Sequence, residues 1–276
     1  MGRFLRDTLF CMFEAAVFGM FGLILGSFIN VLILREETGE TIGGRSHCPH
    51  CKRTLAWFEL FPVLSYVLLR GKCRTCAASI SPQYPLVELL VALAVILVGV
   101  APITFGEKFI GIPVVLLMIA IAVYDLRTTY IPDQWSYGLA LLAFTYGVFS
   151  LDAVTVPSVT LFLAAGPLVA LPLFILWLVS RGRWMGFGDV KLVLSFGWLL
   201  GIMQGYLALG IAFVLGAVIG LILIGITRFA STHGGFTMKS EVPFGPFLVF
   251  ALCLVWFSGL HGYDLASYVL RILTIG

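Results

Sequence analysis

The sequence predicts an all-α polytopic membrane protein of about eight transmembrane helices, with a small cytoplasmic zinc-ribbon-like insert between the first two. Three observations predict it. Of 276 residues, 60% are hydrophobic and only 11% charged, less than half the roughly 25% usual in soluble domains. The mean hydropathy is +1.06 and there are 23 Phe, so the surface itself must be apolar and face lipid. Finally, one polar stretch interrupts the apolar segments, and it carries two Cys-x-x-Cys pairs. A soluble fold and disorder are excluded. The net charge of +3 is too small to suggest a nucleic-acid partner.

A span needs about 20 mostly apolar residues, and eight stretches qualify or come near: 8–34, 86–105, 109–125, 135–151, 158–180, 190–205, 206–227 and 244–260. The first has too long an apolar run for a removable signal peptide, and no small-residue cleavage site follows it. The sixth and seventh meet at Met203-Gln204-Gly205-Tyr206 without a charged loop, which predicts a tight helical hairpin there. Residues 261–276 are too few to span again. With no internal repeat and no low-complexity linker, the expected organisation is a first transmembrane helix (1–34), a cytoplasmic tetracysteine zinc-binding domain (35–85) and a membrane domain (86–276).

Orientation follows from Lys and Arg, which concentrate in cytoplasmic loops. With the N-terminus outside, the inner face holds Arg35, Arg45, Lys52, Arg53, Arg70, Lys72, Arg74, Arg127, Arg181, Arg183, Lys191, Arg228 and Lys239. Only Arg3, Arg6, Lys108 and Arg271 remain outside.

The polar segment reads Cys48-Pro49-His50-Cys51, 21 residues, then Cys73-Arg74-Thr75-Cys76. Two such knuckles can supply four thiolates in a tetrahedron, which suits Zn²⁺ and closes the site to catalysis. The alternative, two disulfides or idle thiols, conflicts with a reducing cytoplasmic location. His47 and His50 are read as surface residues, and Cys11 and Cys253, alone in apolar spans, as small hydrophobes. The stretch from Leu55 to Leu69 between the knuckles is too apolar for the solvated face of a ribbon. It is either a platform lying on the bilayer or the span bundle, or a short buried core.

Ionisable groups at span ends are functional candidates because burying them is costly. Asp125 closes the third span and Asp189 opens the sixth in Gly186-Phe187-Gly188-Asp189-Val190-Lys191, at the same depth on the inner face. Two carboxylates meeting at a partly desolvated site share a proton, so that one serves as general base on a water while the other polarises a carbonyl. The plain alternatives are a helix cap for Asp189 and a pairing with Arg127 for Asp125. Gly186 and Gly188 favour the functional reading, since they let the backbone turn closely around a ligand or neighbour. Lys191 joins them as a supporting residue. Asp133, after Pro132, is expected to cap the fourth span. Glu88, at the start of the second span, could tune the acid pair or touch substrate, and Glu14 lies toward the outer face.

Taken together these residues resemble the type IV prepilin peptidases, also called prepilin leader peptidases/N-methyltransferases, which are GxGD-type membrane aspartyl proteases. Gly26-Ser27-Phe28-Ile29-Asn30-Val31 is similar to that family's GSFLNV motif. The Cys48–Cys51 and Cys73–Cys76 knuckles resemble its zinc domain, and Ile80-Ser81-Pro82-Gln83-Tyr84-Pro85-Leu86-Val87-Glu88-Leu89 its ISPRYPLVEL. Asp125 with Ile131-Pro132-Asp133 resembles the first catalytic motif, Gly186 to Lys191 the second, and Pro243-Phe244-Gly245-Pro246-Phe247 the late PFGPF.

The resemblance implies a bacterial inner-membrane endopeptidase acting on type IV prepilins or type II secretion pseudopilins. It would remove the short basic leader after a glycine, on the cytoplasmic side, and N-methylate the new terminus with S-adenosylmethionine. It implies Asp125 and Asp189 as the catalytic pair and Cys48, Cys51, Cys73 and Cys76 as zinc ligands. The chain departs from the family at Glu59-Leu60-Phe61-Pro62, where Glu-Asn-Ile-Pro is common, and lacks Leu-Pro after Arg35. Both departures lie in the segment that separates bifunctional from peptidase-only members, so a peptidase without methyl transfer is the alternative. No glycine-rich nucleotide fingerprint marks a site for S-adenosylmethionine. A proton-coupled transporter would also place acids at span ends, but it calls for midplane acids or inverted repeats, and none is evident.

Overall fold

The computed structural model describes residues 2–41, 43–151, 155–229 and 243–268. Lys239 and Arg271, used in the charge count, lie outside them. The chain divides into two compact units, Met1–Pro102 and Ile103–Gly276.

In the first unit, α1 (Gly2–Thr38) packs along α3 (Gln83–Gly99). The 37 residues of α1 make a rod of about 55 Å, well beyond the roughly 30 Å hydrocarbon core, so it must project from the membrane. The two helices touch through Gly22 and Gly26, spaced as Gly-x-x-x-Gly. A Cβ at Gly22 would lie 2.6 Å from the Ala92 Cα, and one at Gly26 2.7 Å from the Glu88 Cα. Backbones this close gain dispersion contacts that a larger residue would forbid.

Between α1 and α3 lie the two knuckles, a 3₁₀ turn at Trp57–Leu60 and the short α2 (Leu64–Leu68). The knuckles are one hairpin used twice. The Cys48 amide bonds the Arg53 carbonyl, Lys52 the Cys48 carbonyl and Leu55 the Ser46 carbonyl; shifted by 25 residues, Cys73 bonds Ala78, Ala77 bonds Cys73 and Ile80 bonds Gly71. Lys52 and Ala77 both turn through positive φ, at 55° and 56°. The expectation of no internal repeat therefore fails locally, because the repeat is in backbone path and, apart from the cysteines, hardly in side chains. The buried-core reading of 55–69 fails too: Trp57, Phe61, Leu64, Val67 and Leu68 are all exposed.

The second unit contains α4 (Phe105–Thr128), α5 (Asp133–Phe149), α6 (Val156–Ser180), α7 (Phe187–Leu200), α8 (Ile202–Phe229) and α9 (Gly245–Leu260). Helix α7 is the centre, packed on α5, α6, α8 and α9, while α4 packs against α5 and α9. Its core is small and apolar, with Val193, Phe196, Leu248, Leu252 and Met118 fully buried. Capping boxes start α4 (Thr104 with Glu107) and α6 (Thr155 with Ser158), satisfying amides that would otherwise be orphaned.

Each of the eight predicted stretches contains a helix, although in 86–105 that helix ends at Gly99 and 190–205 is broken at Gly201. Among the described residues, four helices are long and apolar enough to cross a membrane, within Thr8–Thr38, Phe105–Thr128, Val156–Ser180 and Ile202–Ile226, and Gln83–Gly99 and Gly245–Leu260 are shorter apolar helices. The hairpin expected at Met203–Tyr206 is displaced. The break falls at Gly201, whose φ of +78° suits a residue without Cβ, and Met203–Tyr206 is already helical in α8. Asp133 does not cap α5; the N-cap is Pro132, and Asp133 begins the helix. Cys11 is exposed rather than packed, whereas the Cys253 Sγ lies 3.6 Å from the Met118 Sδ.

Candidate functional site

Asp125 sits in the last turn of α4, which Thr129 ends in a left-handed conformation (φ 54°). Its side chain is buried, with 4% of the residue exposed. The backbone N–H of Gly245, at the start of α9, donates to its Oδ2 at 2.9 Å across 120 residues of sequence. Asp189, 8% exposed, lies in the first turn of α7, whose N-cap is Gly186. Both acids have Ile131 as a near neighbour, Asp125 through Gly245 and Asp189 through the adjacent Gly188. Neither plain alternative describes them: Asp189 is not an N-cap, and Asp125 is held by a backbone amide.

Ile131 lines the approach. A Cβ at Gly188 would meet the Ile131 Cβ at 3.2 Å, and a Cβ at Gly245 would meet the Asp125 Oδ2 at 2.6 Å and the Ile131 Cδ1 at 3.3 Å. Gly188 therefore brings α7 close to the 129–132 connection, as its spacing suggested. Gly186 does not play that part, since its φ of −71° is ordinary and a Cβ would approach only the Gly188 N, at 3.9 Å.

Lys191 pairs with Asp133 and lies over the rings of Phe187 and Tyr137, at 5.2 and 5.4 Å from their centroids. The pair ties the start of α5 to the start of α7, each next to one arm of the site. Beside it an apolar cavity of about 300 Å³ is lined by Tyr137, Pro167, Phe174, Phe187, Val190 and Lys191 among others. An apolar group of a ligand could enter there one residue from Asp189.

Glu88 belongs to the first unit. It is buried, and its Oε2 accepts from the Val63 N–H at 2.6 Å. One turn nearer the start of α3, the Asn30 side chain donates to the Tyr84 carbonyl at 3.0 Å. The GSFIN and YPLVE stretches thus meet as partners across α1 and α3.

The four knuckle cysteines come together, with all Sγ atoms within 4.8 Å of one another. Cys48 and Cys76 are 3.8 Å apart, the edge of a tetrahedron with bonds of about 2.3 Å to a central ion. All six cysteines are free thiols, so the disulfide alternative fails, and neither His47 nor His50 joins the cluster among the described residues. The electrostatics fit a cation. The amides of Cys76 and Thr75 draw the Cys73 thiol down to about 6. Cys76, in spite of the Ala78 amide, is pushed up to about 11 by burial and by the sulfurs of Cys73, Cys51 and Cys48. Four thiolates this close ionise together only around a positive ion.

Two features carried no separate signal in the sequence. The Gly245 amide was foreshadowed only by the Pro243–Phe247 motif, which assigns no chemistry to a backbone N–H. In the ribbon, Arg53 forms a two-pronged ion pair with Glu59, at 2.8 and 3.0 Å, and Glu59 also accepts from the Ala56 amide. The Arg53 hydrogen bonds hold the Glu59 carboxyl below the usual carboxylate range.

Comparison with known proteins accords with this architecture. The family described as Bacterial Peptidase A24 N-terminal domain matches residues 20–101, and the Type IV leader peptidase family matches residues 112–221. The chain is 34% identical over 254 residues to the "Type 4 prepilin-like proteins leader peptide-processing enzyme" of Escherichia coli O78:H11, covering 82% of this chain and 87% of that one. It is 32% and 30% identical to proteins named "Prepilin leader peptidase/N-methyltransferase" from Legionella pneumophila and Aeromonas hydrophila, covering 90% and 91% of this chain and 92% and 93% of theirs. No solved structure matches it significantly. With this similarity running through both units, the chain belongs to the type IV leader peptidase family of enzymes.

Proposed function

We propose that the protein is a prepilin aspartyl endopeptidase of the bacterial inner membrane, with Asp125 and Asp189 as its catalytic pair. What supports the assignment is that two buried acids, from α4 and α7, flank Ile131, which approaches both Gly188, next to Asp189, and Gly245, whose amide bonds Asp125. One carboxylate, ionised, takes a proton from the attacking water; the other, protonated, donates to the scissile carbonyl and stabilises the charge that develops there. The Gly245 N–H holds Asp125 in one rotamer, so that the reacting atoms are ordered before substrate arrives. The substrate is the leader of a type IV prepilin or a type II secretion pseudopilin, cut after a glycine.

All eight predicted spans cross the membrane in this reading, with the N-terminus outside and the ribbon and acids on the cytoplasmic face. At 14 residues, α7 is only about 21 Å long, short of the roughly 30 Å hydrocarbon core, which leaves Asp189 at the water boundary where a soluble leader can reach it. The four cysteines hold Zn²⁺ as a structural ion. S-adenosylmethionine supplies the methyl group for the new N-terminus.

Incubating the detergent-purified protein with a prepilin tests the assignment, alongside Asp125→Asn and Asp189→Asn. Both variants should lose cleavage by at least 10³-fold, as removal of an acid or base that acts as one unit with its partner does. Undiminished cleavage by either one overturns the aspartyl mechanism. Mass spectrometry of the product's N-terminus, with and without S-adenosylmethionine, tests methyl transfer.

A further inference from the structure

We infer that residues 57–68 form a wedge embedded in the leaflet beside the ribbon, locked at its depth by Glu88 and held over anionic lipid headgroups by the basic residues around it. Trp57 (70% exposed), Phe58, Phe61, Leu64, Val67 and Leu68 (72% exposed) present a continuous run of large apolar groups. Trp57 stands edge-on to both Phe58 and Phe61, at 5.8 Å in each case, so the aromatic cluster is preformed. Such a surface is stable at a membrane boundary and not in water.

One bond ties this run to α3. Glu88 is five residues into α3, about 7.5 Å along the helix from Gln83, and its carboxylate binds the Val63 N–H in the middle of the apolar run. At 17 residues, α3 is about 26 Å long, already shorter than the roughly 30 Å core it has to cross. Its first turns therefore cannot stand out in water, and the exposed side chains of Leu86, Leu89 and Leu90 on those turns face lipid. Val63 is bonded to Glu88 on these same turns. It is held at φ 59°, ψ −49°, a conformation costly for a β-branched residue, so the bond imposes the position against local preference.

Charge selects the lipid. Between Gly43 and Pro82 the chain has six Lys or Arg and one acid, Glu59, which is committed to Arg53. Lys52, Arg70, Lys72 and Arg74 are exposed, and the Arg74 guanidinium lies over the Phe58 ring at 5.4 Å from its centroid. A cation on the rim of an exposed aromatic cluster matches an anionic headgroup above an apolar boundary.

The test uses the full chain in lipid nanodiscs and reads lipid contact rather than activity, so its outcome is independent of the peptidase assignment. The Trp57 signal is the difference in fluorescence between the wild type and Trp57→Phe. With lipids brominated near the headgroup this signal should fall by about half, and less with bromine deep in the chain. Glu88→Gln, whose amide carbonyl can still accept from Val63, should keep the quenching; Glu88→Ala should lose it. Exchanging anionic for zwitterionic lipid should weaken it in the wild type, but not in a variant with Lys52, Arg70, Lys72 and Arg74 all changed to Gln, which keeps Glu88 and the knuckles. Trp57 that is quenched by aqueous iodide and untouched by either brominated lipid overturns the proposal. So does bromolipid quenching abolished by a peptide of a pilin's apolar segment, which would make the surface a protein-binding site.

Discussion

Gly245→Ala isolates what the α9 amide does for the acid pair. The new methyl carbon would lie 2.6 Å from the Asp125 Oδ2, 3.1 Å from its Cγ and 3.3 Å from the Ile131 Cδ1. A carbon and an oxygen rest in contact at about 3.3 Å, so the carboxylate or the start of α9 must withdraw by on the order of 0.7 Å. The same movement stretches the 2.9 Å bond from the Gly245 amide beyond useful length. A catalytic group displaced by about 1 Å costs on the order of 10²-fold in rate, and kcat should fall by that factor with KM changed much less. The assay is prepilin cleavage under saturating substrate, followed on gels, at a temperature where thermal unfolding finds both proteins folded, because overpacking also costs about 1–3 kcal/mol. Gly186→Ala is the control: its methyl group would meet only the Gly188 N, at 3.9 Å, at an ordinary φ of −71°, and kcat should stay within about threefold. A Gly245→Ala enzyme with a third or more of wild-type kcat would refute the reasoning, as would a Gly186→Ala enzyme equally impaired.

Three further perturbations separate the parts. Asp133→Asn removes the partner of Lys191, but the Asp133 side chain is 59% exposed, so thermal stability should drop by at most about 1 kcal/mol and cleavage should persist within a few-fold. Glu59→Gln breaks the two-pronged bond to Arg53 and should speed loss of metal to a chelator by about tenfold at pH 7, the effect of one charged hydrogen bond. The sign of its pH dependence follows from the depressed Glu59 carboxyl. The stabilisation is full above the ordinary carboxylate value of about 4.3 and is lost as pH falls through the lower folded value; wild-type ribbon should lose its advantage over Glu59→Gln in that acid window. Chelation, or Cys51→Ser, should unfold the ribbon and lower bound zinc below one per chain, as read by metal analysis; unchanged zinc content in that variant would exclude a four-thiolate site.

The helices were legible because apolar length is a one-dimensional property, and each of the eight stretches contains one. What escaped was set by single backbone positions. The break at Gly201 lies two residues before the expected Met203–Tyr206 hairpin, and only its positive φ identifies it. Asp125, Asp189 and the four cysteines could be chosen from sequence since few polar groups sit in so apolar a chain, and the knuckles came with fixed spacing. The Gly245 amide could not, since every residue but proline has one, and its worth depends on a partner 120 residues away. Asp133 shows the opposite error. Its place after Pro132 satisfied a local capping rule, yet the side chain answers instead to Lys191, 58 residues on. Local rules rank the candidates on one helix; they do not weigh a charge arriving from another.

The start of α9 explains why the amide that serves Asp125 comes from this residue. Helix termini expose four N–H groups, and their positive end favours a nearby anion. In α9 the supply is narrowed. Phe244 is the N-cap and Pro246, within the first turn, has no N–H, while the amides of Phe247 and Leu248 turn back to the Phe244 carbonyl. Gly245 is left as the one early amide directed at Asp125, and lacking a side chain it lets the carboxylate come within bonding distance. Proline beside it fixes its own φ near −65° and so favours a helix start at this point. The PFGPF stretch thus has a chemical meaning that its letters do not display: a rigid helix start reduced to a single outward donor, directed at a buried acid.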